Sequence, residues 1–145
     1  MTGEYAVAVH ALVYLYHRGT TVSSEVLAKN ICTNPARVRK VMAKLKRGGL
    51  VTTREGSEGG YRLAVAAEQV DLRQIAQAVG ATFVQCNWHS GGEDIHCQVA
   101  SGMAGVMDGI CDDLNQRCLQ RLEQITLEDI SQKIKSRPQA AEDRA

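Results

Sequence analysis

The sequence is poor in large aromatic side chains: it has one Phe and one Trp, although 44% of its 145 residues are hydrophobic. A core with so few aromatic rings has to be built from aliphatic side chains, which favours helices. No apolar run reaches the roughly 18 residues that a membrane-spanning helix needs, so we expect no membrane span. The length fits one domain, with or without an appended helix.

The N-terminal segment is not expected to be a secretion signal. The N-terminal sequence MTGEYAVAVHALVYLYHRG is partly apolar, but Glu4 stands where a signal peptide carries positive charge, and no small-residue cleavage site follows. The five cysteines are an odd number, which argues against a secreted disulfide framework. We therefore predict a cytoplasmic protein whose thiols are free, redox-active or metal-bound. For any single cysteine, burial as a small apolar side chain is the alternative.

Acidic residues are absent between Glu25 and Glu55. Eight basic residues fall in that segment: Lys29, Arg37, Arg39, Lys40, Lys44, Lys46, Arg47 and Arg54. Since the net charge of the whole chain is +1, the remainder is acidic. A solvated helix face normally mixes both signs, so this block predicts docking on a polyanion.

Capping signals and apolar spacing predict three helices in the N-terminal part of the chain. The first covers residues 4–17 and ends at Gly19. A short second helix follows a Ser cap and has Val26, Leu27 and Ile31 on its apolar side.

The third predicted helix is the most clearly marked. Asn34 is its N-cap, Pro35 occupies the first helical position, and Gly48 and Gly49 end it. Its apolar stripe consists of Val38, Val41 or Met42, and Leu45. Two short helices joined by a brief turn form a helix-turn-helix. The second helix is basic, and in this motif the second helix enters a major groove.

The segment Thr52–Ala64, TTREGSEGGYRLA, follows this basic helix and contains three glycines. Either a phosphate-binding loop or a β-hairpin fits such a composition. A phosphate loop needs a lysine and a helix after its glycines, and the following YRLAV provides neither. Strand-like alternation on both sides of GSEGG therefore predicts the β-wing of a winged helix.

Three more helices are predicted after the wing: VDLRQIAQAVG, a long helix at about 98–123, and TLEDISQKIKS. Between the first two lies a polar loop at 86–97. Apolar residues recur along the long helix every three or four positions: Val99, Met103, Val106, Ile110, Leu114, Cys118 and Leu122.

Glycines at positions 102, 105 and 109 interrupt the long helix, each at a cost of about 1 kcal/mol relative to Ala. Ser101, Gly105 and Gly109 share one face, on which the backbone of a second copy can pack closely. We therefore predict a homodimer through this helix.

These elements predict a mainly α fold with a small β-hairpin wing. Its parts are a winged helix-turn-helix domain at 1–80, a cysteine-containing sensor loop at 81–97, a dimerisation helix with a terminal helix at 98–136, and a disordered tail at 137–145. No Ser/His/Asp constellation, paired carboxylates or nucleotide loop is present, so the sequence predicts that the protein is not an enzyme.

The segments EYAVAVHALVYL, NPARVRKVMAKLKRGGLV and above all REGSEGGYRLA resemble the Rrf-type winged-helix repressors. This bacterial family includes an iron–sulfur cluster regulator, a nitric-oxide-sensing repressor and a cysteine-metabolism repressor. The resemblance covers residues 3–80 well and continues more loosely to ITLEDI. It implies a homodimer that binds an imperfect palindrome in promoter DNA, with each recognition helix in a major groove and each wing near a minor groove.

The spacing of the cysteines departs from that of the cluster-binding members, which have three closely spaced cysteines after the DNA-binding domain. Here ten residues separate Cys86 from Cys97, and the next thiol is Cys111. The chain thus resembles the thiol-containing, cluster-free branch, in which a cysteine opens the long helix. We expect no cofactor, and an iron–sulfur cluster is the alternative.

Cys97 is the predicted redox sensor, because it precedes a helix whose free N–H groups and dipole favour a thiolate. Glu93 and Asp94 oppose this effect. Once oxidised to a sulfenic acid, Cys97 can condense with Cys86 of the same loop, within the chain or across the dimer. The competing hypothesis is a metal site, for which the ligands are Cys86, His89, His96 and Cys97.

Position along the basic helix predicts the roles in DNA binding. The residues of its first turns, Asn34, Ala36, Arg37 and Lys40, reach base edges. Arg37 is the candidate for a bidentate contact with guanine, worth about 1–3 kcal/mol of discrimination. Phosphate contacts are predicted for Arg39, Lys44, Lys46 and Arg47, and minor-groove contacts for the wing residues Arg54, Ser57, Gly59 and Gly60. The alternative from another class is a protein-interaction module that uses this helix on an acidic partner protein.

Overall fold

The computed structural model describes residues 1–138, which form a mainly helical fold with a small antiparallel hairpin. The elements are α1 (Gly3–Arg18), α2 (Ser24–Ile31), α3 (Pro35–Arg47), β1 (Val51–Arg54), β2 (Gly60–Leu63), α4 (Leu72–Val79), α5 (Gln98–Leu122) and α6 (Leu127–Lys135). A 3₁₀ turn that the sequence pattern did not predict, Ala67–Gln69, precedes α4. The predicted fold class is confirmed. The tail predicted for 137–145 lies outside the described residues from residue 139 onward.

Local capping chemistry sets the boundaries of the first three helices. α1 ends at Gly19, whose φ of 64° is left-handed. At the start of α2 the Ser23 hydroxyl accepts a hydrogen bond from the N–H of Val26. At the start of α3, Asn34 Oδ1 accepts from the N–H of Arg37 at 2.8 Å. The predicted caps are therefore confirmed.

The apolar face predicted for α2 is partly wrong. Val26 is 42% exposed, whereas the buried residues are Ser24, Leu27 and Ala28. Together with Ile31, these residues occupy positions i, i+3, i+4 and i+7, which is the face of one helical stripe. Helical geometry outweighs the hydrophobicity of Val26, because α2 contacts α3 through this stripe.

The core lies where α1, α3 and α4 meet, and it is aliphatic as the composition predicts. The predicted stripe of α3 is confirmed, since its four members are fully buried: Val38, Val41, Met42 and Leu45. One buried aromatic residue completes the core: Tyr5 is 2% exposed and donates its hydroxyl to the carbonyl of Leu72 at 3.2 Å. Its ring packs edge-on against Phe83, with the centroids 5.2 Å apart.

The predicted wing is confirmed as an antiparallel hairpin, in which Val51 lies opposite Leu63 and Arg54 opposite Gly60. The hairpin is also tied to the segment before α2. Val22 N–H donates to the carbonyl of Tyr61 at 3.0 Å, and Tyr61 N–H donates to the carbonyl of Val22 at 2.8 Å. This pair of bonds holds the base of the wing against the helix-turn-helix.

The C-terminal helix returns to the winged-helix core. Leu72 N–H donates to the carbonyl of Ile125 at 2.9 Å, and Leu127 N–H donates to the carbonyl of Val70 at 2.9 Å. Leu127 is fully buried in the same core, and α6 packs on α1. Within residues 1–138, no helix combines the length and apolarity required to cross a membrane.

Candidate nucleic-acid interface and thiol site

The helix α3 separates apolar from basic side chains. Its apolar residues are buried in the core, and the side chains on the rest of its surface include exposed Arg37, Arg39, Lys40 and Arg47. The cap residue Asn34 and the first-turn residue Ala36 are exposed as well. Exposed cations therefore occur from the first turn of α3 to its last, a distribution that suits a polyanion.

The N-terminus of α1 lies against this basic face. Glu4 forms ion pairs with Lys40, at 3.2 Å, and with Lys44. A Cβ added to Gly3 would lie 2.3 Å from Nη2 of Arg37, so the guanidinium group packs close to the first turn of α1. Lys44 is consequently only 26% exposed, which makes it less available to phosphate than Arg47. Sequence reasoning missed Glu4, because forty residues separate it from Lys44.

Two further contacts orient basic side chains of α3. Arg39 donates to the Ser24 hydroxyl at 3.3 Å and lies 3.7 Å from a Glu25 carboxylate oxygen. Lys46 donates to the Thr53 hydroxyl at 2.9 Å. These contacts join α3 to α2 and to the wing, so the helix and the hairpin present their charges as one surface.

Additional cations lie between the wing and the end of α1. Arg18, Arg54 and Arg62 line a polar depression of about 530 Å³, together with Ser57 and Gly59 of the wing. Arg54 was predicted from the sequence, but Arg18 and Arg62 were not. Both lie outside the segment between Glu25 and Glu55, and only the folded hairpin brings them beside Arg54.

We expect Glu4→Gln to destabilise the fold by about 0.5–1 kcal/mol at neutral pH, because the amide cannot replace a carboxylate shared by two ammonium groups. Hydrogen bonds from Lys44 and then from Lys40 hold the pKa of Glu4 below its usual value of 4.5. The stabilisation is therefore present above pH 4.5 and disappears as the pH falls through the folded-state pKa. Urea unfolding of both proteins as a function of pH measures the difference. Glu25→Gln, at a carboxylate that is 70% exposed, is the matched control and should have little effect.

The loop predicted at 81–97 packs along α5 and runs antiparallel to it. The N–H groups of Phe83 and Val84 donate to Oδ1 of Asn115 at 3.0 and 2.8 Å, and Nδ2 of Asn115 donates to the carbonyl of Val84. Further along, Gly92 N–H donates to the carbonyl of Ala100 at 3.0 Å. We call residues 83–92 the strap, because both of their ends are tied to α5.

Two side-chain pairs lie between these ends. Cys86 Sγ is 3.2 Å from Cys111 Sγ, and His89 Nε2 is 2.7 Å from Asp108 Oδ1. The hydrogen bond with Cys111, followed by burial, raises the pKa of the Cys86 thiol. The sulfur that contacts Cys86 thus belongs to Cys111 and not to the predicted partner Cys97. Antiparallel packing explains this pairing, since it places the early part of the loop beside the middle of α5.

Cys97 is the N-cap residue of α5 and is exposed. The N–H groups of Ala100 and then Val99 hold the pKa of its thiol below the usual range, although no capping hydrogen bond of normal length forms. A lowered pKa increases the fraction of thiolate, which is the nucleophilic form. The helix start therefore has the effect on Cys97 that the sequence predicts.

The four ligands of the predicted metal site are not brought together. His89 pairs with Asp108, Cys86 pairs with Cys111, and His96 and Cys97 are exposed at the end of the loop. In the part of the chain that the structure describes, no three His, Cys, Asp or Glu side chains form a cluster suited to a metal ion.

The helix α5 has two different sides. Cys111 is buried on the side of α5 that faces the strap, where its sulfur contacts Cys86 and where Asn115 binds the strap backbone. The other side carries a stripe of exposed apolar side chains, 41–66% exposed, which we call the α5 stripe: Val99, Val106, Met107, Ile110 and Leu114. Around the Cα atoms of Gly102, Gly105 and Gly109 a Cβ would meet nothing within 4 Å. Such a contiguous apolar stripe is typical of a surface that another protein covers.

Comparisons with known proteins agree with this architecture. The family model Rrf2, described as "Iron-dependent Transcriptional regulator", matches residues 1–133. An HTH-type transcriptional regulator of Haemophilus influenzae is 27% identical over 148 residues, covering 97% of this chain and 91% of that protein. A transcriptional regulator from Lactobacillus plantarum has a similar structure, with a TM-score of 0.80, 22% identity and coverage of 94% and 92%. IscR of T. potens gives a TM-score of 0.70, 17% identity and coverage of 96% and 92%.

Proposed function

The chain belongs to the Rrf2 family of transcriptional regulators, and we propose that it is a homodimeric repressor whose affinity for a palindromic operator depends on the thiol state of Cys97. As a member of this family it is a DNA-binding regulator and not an enzyme. The observation that carries the proposal is the exposed cationic face of α3, which lies beside the arginines of the wing.

In the proposed complex, α3 enters a major groove and its first turns read base edges. Asn34, Ala36, Arg37 and Lys40 are the reading residues, and Arg37 makes the bidentate contact with guanine. Arg39, Lys44 and Arg47 bind phosphates, as does Lys46. At the adjacent minor groove the contacts come from the wing: Arg54, Ser57, Gly59 and Gly60. Arg18 and Arg62 add positive charge at the same end of the molecule.

Dimerisation places two copies of α3 on one face of the duplex. The α5 stripe supports this part of the proposal, because a second copy of α5 would cover it. The open space around the α5 glycines allows two backbones to approach closely. Two half-sites about 34 Å apart, one turn of the duplex, match a two-fold symmetric protein of this class.

The proposed signal is oxidation of Cys97 by hydrogen peroxide, which yields a sulfenic acid and water. Its exposure and its lowered pKa support this role. Oxidation removes a negative charge from the start of α5, the helix that joins the two protomers. A change at this point alters the separation of the two recognition helices, and with it the affinity for the operator.

The description of the family as iron-dependent raises the question of a metal ion or cluster. The predicted ligands Cys86, His89, His96 and Cys97 do not converge in the described chain. These four side chains therefore form no single site within the described residues, and the proposed mechanism uses no metal ion or cluster.

Arg37→Ala tests the proposed division between reading and positioning. We expect it to weaken binding to the operator by about 1–3 kcal/mol and to a random duplex by much less, because the lost contact is to a base. Arg47→Ala is the matched control and should weaken both duplexes alike, since phosphates carry no sequence information. Lys44→Ala is a poorer control, because it also releases Glu4. Fluorescence anisotropy with matched duplexes measures both losses, and equal losses for the two variants on both duplexes would contradict the assignment.

The salt dependence of the same binding curves separates this function from a protein-interaction module. A dimer that neutralises about ten phosphates should show a slope of about −9 when log K is plotted against log salt concentration. If neither duplex binds in low salt, the basic face of α3 serves another partner.

Alkylation rates test the reactivity of Cys97. At pH 7 we expect Cys97 to react with iodoacetamide at least about tenfold faster than Cys86, because its pKa is lowered while that of Cys86 is raised. Mass spectrometry of peptides at timed intervals gives both rates. The operator affinity of the wild type should change after peroxide treatment, while that of Cys97→Ser should not. An equal response of the two proteins would rule Cys97 out as the sensor.

A further inference from the structure

The strap is held on α5 by a series of contacts that includes a pair of thiols. Asn115 binds the backbone of the strap at one end, and Gly92 binds the carbonyl of Ala100 at the other. Between them, Cys86 and Cys111 are in van der Waals contact at 3.2 Å. The sulfurs in a disulfide are about 2.0 Å apart, so an approach of about 1.2 Å suffices for a bond.

Accessibility differs between the two thiols. Cys111 is 9% exposed in the middle of α5, whereas Cys86 is half-buried on the strap. An oxidant in solution therefore reaches Cys86 first, and Cys111 is already in position to resolve the product. Neither thiol belongs to the Cys97 site of the proposed function.

We propose that Cys86 and Cys111 form a reversible intrachain disulfide, with a low-molecular-weight disulfide as oxidant, and that this bond locks the strap onto α5. The thiolate of Cys86 attacks the small disulfide RSSR, which gives the mixed disulfide Cys86–S–S–R and releases one RSH after protonation. The thiolate of Cys111 then attacks the Cys86 sulfur, forms the Cys86–Cys111 bond and expels the second RSH. Two protein thiols are oxidised and one small disulfide is reduced to two thiols, so atoms and electrons balance.

The contact between the two sulfurs favours closure of the disulfide. Once Cys86 carries the mixed disulfide, the second step joins two sulfurs that are already in contact, so the bond to Cys111 forms readily.

The strap is connected to the recognition helix α3 through contacts with α1. Phe83, at the start of the strap, packs on Tyr5 of α1. Glu4, the residue before Tyr5, forms ion pairs with Lys40 and Lys44 of α3. Any effect of the disulfide on operator binding rests on the proposed function, whereas formation of the bond does not.

Disulfide mapping on the full-length protein tests the inference without DNA. The reduced protein is equilibrated with mixtures of reduced and oxidised glutathione, trapped with acid and N-ethylmaleimide, and digested. Trypsin leaves Cys86, Cys97 and Cys111 in one peptide, because no Lys or Arg lies between Arg73 and Arg117. Cleavage after acidic residues at Glu93 and Asp108 separates the three thiols.

We expect a Cys86–Cys111 link within one chain in the wild type and in the matched control Cys118→Ser, and none in Cys86→Ser or in Cys111→Ala. Reduction with dithiothreitol should remove it. Thermal melting shows which variants are folded. If Cys111→Ala does not fold because Cys111 is buried, Cys86→Ser, at the half-buried position, still tests the link. A Cys86–Cys97 link, a link between chains, a metal ion bound by Cys86 and Cys111, or no link under conditions that glutathionylate Cys97 would overturn the inference.

Hydrogen exchange tests the locking of the strap. In the oxidised wild type the amides of Phe83, Val84 and Gly92 should exchange about tenfold more slowly than in the reduced protein, because opening of the strap is blocked. Cys86→Ser should show no such change. Unaltered exchange in a protein whose disulfide has been mapped would overturn the locking. Failure of the reduced protein to bind the operator would instead count against the proposed function.

Discussion

Ile110→Asp should convert the proposed dimer to a monomer and weaken operator binding by about a thousandfold. Ile110 is 48% exposed at the centre of the α5 stripe, between Val106 and Leu114. In a dimer a second copy of α5 covers this position, so the carboxylate would be buried without a partner. A monomer keeps one recognition helix and about half of the phosphate contacts, which explains the large loss in affinity.

Sedimentation equilibrium and fluorescence anisotropy measure the two parts of this effect. Gln132→Asp adds the same charge at an exposed position of α6 and is the matched control, with wild-type assembly and affinity expected. Circular dichroism verifies that the monomer remains helical. A wild-type protein that is monomeric at micromolar concentration, or an Ile110→Asp protein that remains dimeric, would refute dimerisation through the α5 stripe.

Gly60→Ala should destabilise the protein by about 3 kcal/mol and weaken its binding to every duplex. Gly60 has a φ of 152°, and a Cβ at this position would lie 2.2 Å from the carbonyl oxygen of Val22. The methyl group therefore forces apart the two backbone bonds that join Val22 to Tyr61. Since these bonds hold the wing against the helix-turn-helix, the hairpin that carries Arg54 loses its proposed position on the DNA.

The matched control for Gly60 is Gly19→Ala. Gly19 also has a positive φ, of 64°, but no atom lies within 4 Å of the added Cβ. This substitution should cost only about 1 kcal/mol, the strain of a left-handed alanine. Urea unfolding gives both free energies, and anisotropy gives the DNA affinities. If the two variants are destabilised equally, contact between the wing and Val22 contributes nothing to the fold.

The elements that sequence reasoning predicted correctly are those whose information is local. Asn34 and Pro35 start α3 because a side-chain oxygen satisfies a free N–H and a fixed φ suits the first turn. The wing follows from glycines between two strand-like segments. The start of α5 after Cys97 is also a local feature, because the polar loop ends where the helical spacing of apolar residues begins.

One prediction about which surfaces meet is partly wrong. On α2, the sequence suggested that Val26 is buried because it is apolar, but the contact with α3 selects the stripe of Leu27 and Ala28. The pairing of Cys97 with Cys86, within the chain or across the dimer, stays a prediction. Within one chain, the antiparallel course of the strap brings Cys86 to Cys111, which is twenty-five residues away and which the sequence did not indicate.

By itself, the sequence determined the helix starts and ends, the β-hairpin, the concentration of positive charge on α3 and the membership of the Rrf2 family. These features depend on neighbouring residues or on periodicity, which can be read along the chain. Only the tertiary structure decided that Glu4 binds Lys44, that α6 completes the core around Leu127, and that Cys86 meets Cys111. The physical reason is that such contacts join residues far apart in sequence. The local sequence does not distinguish among the many possible long-range contacts, and only the packing of the whole fold selects one set.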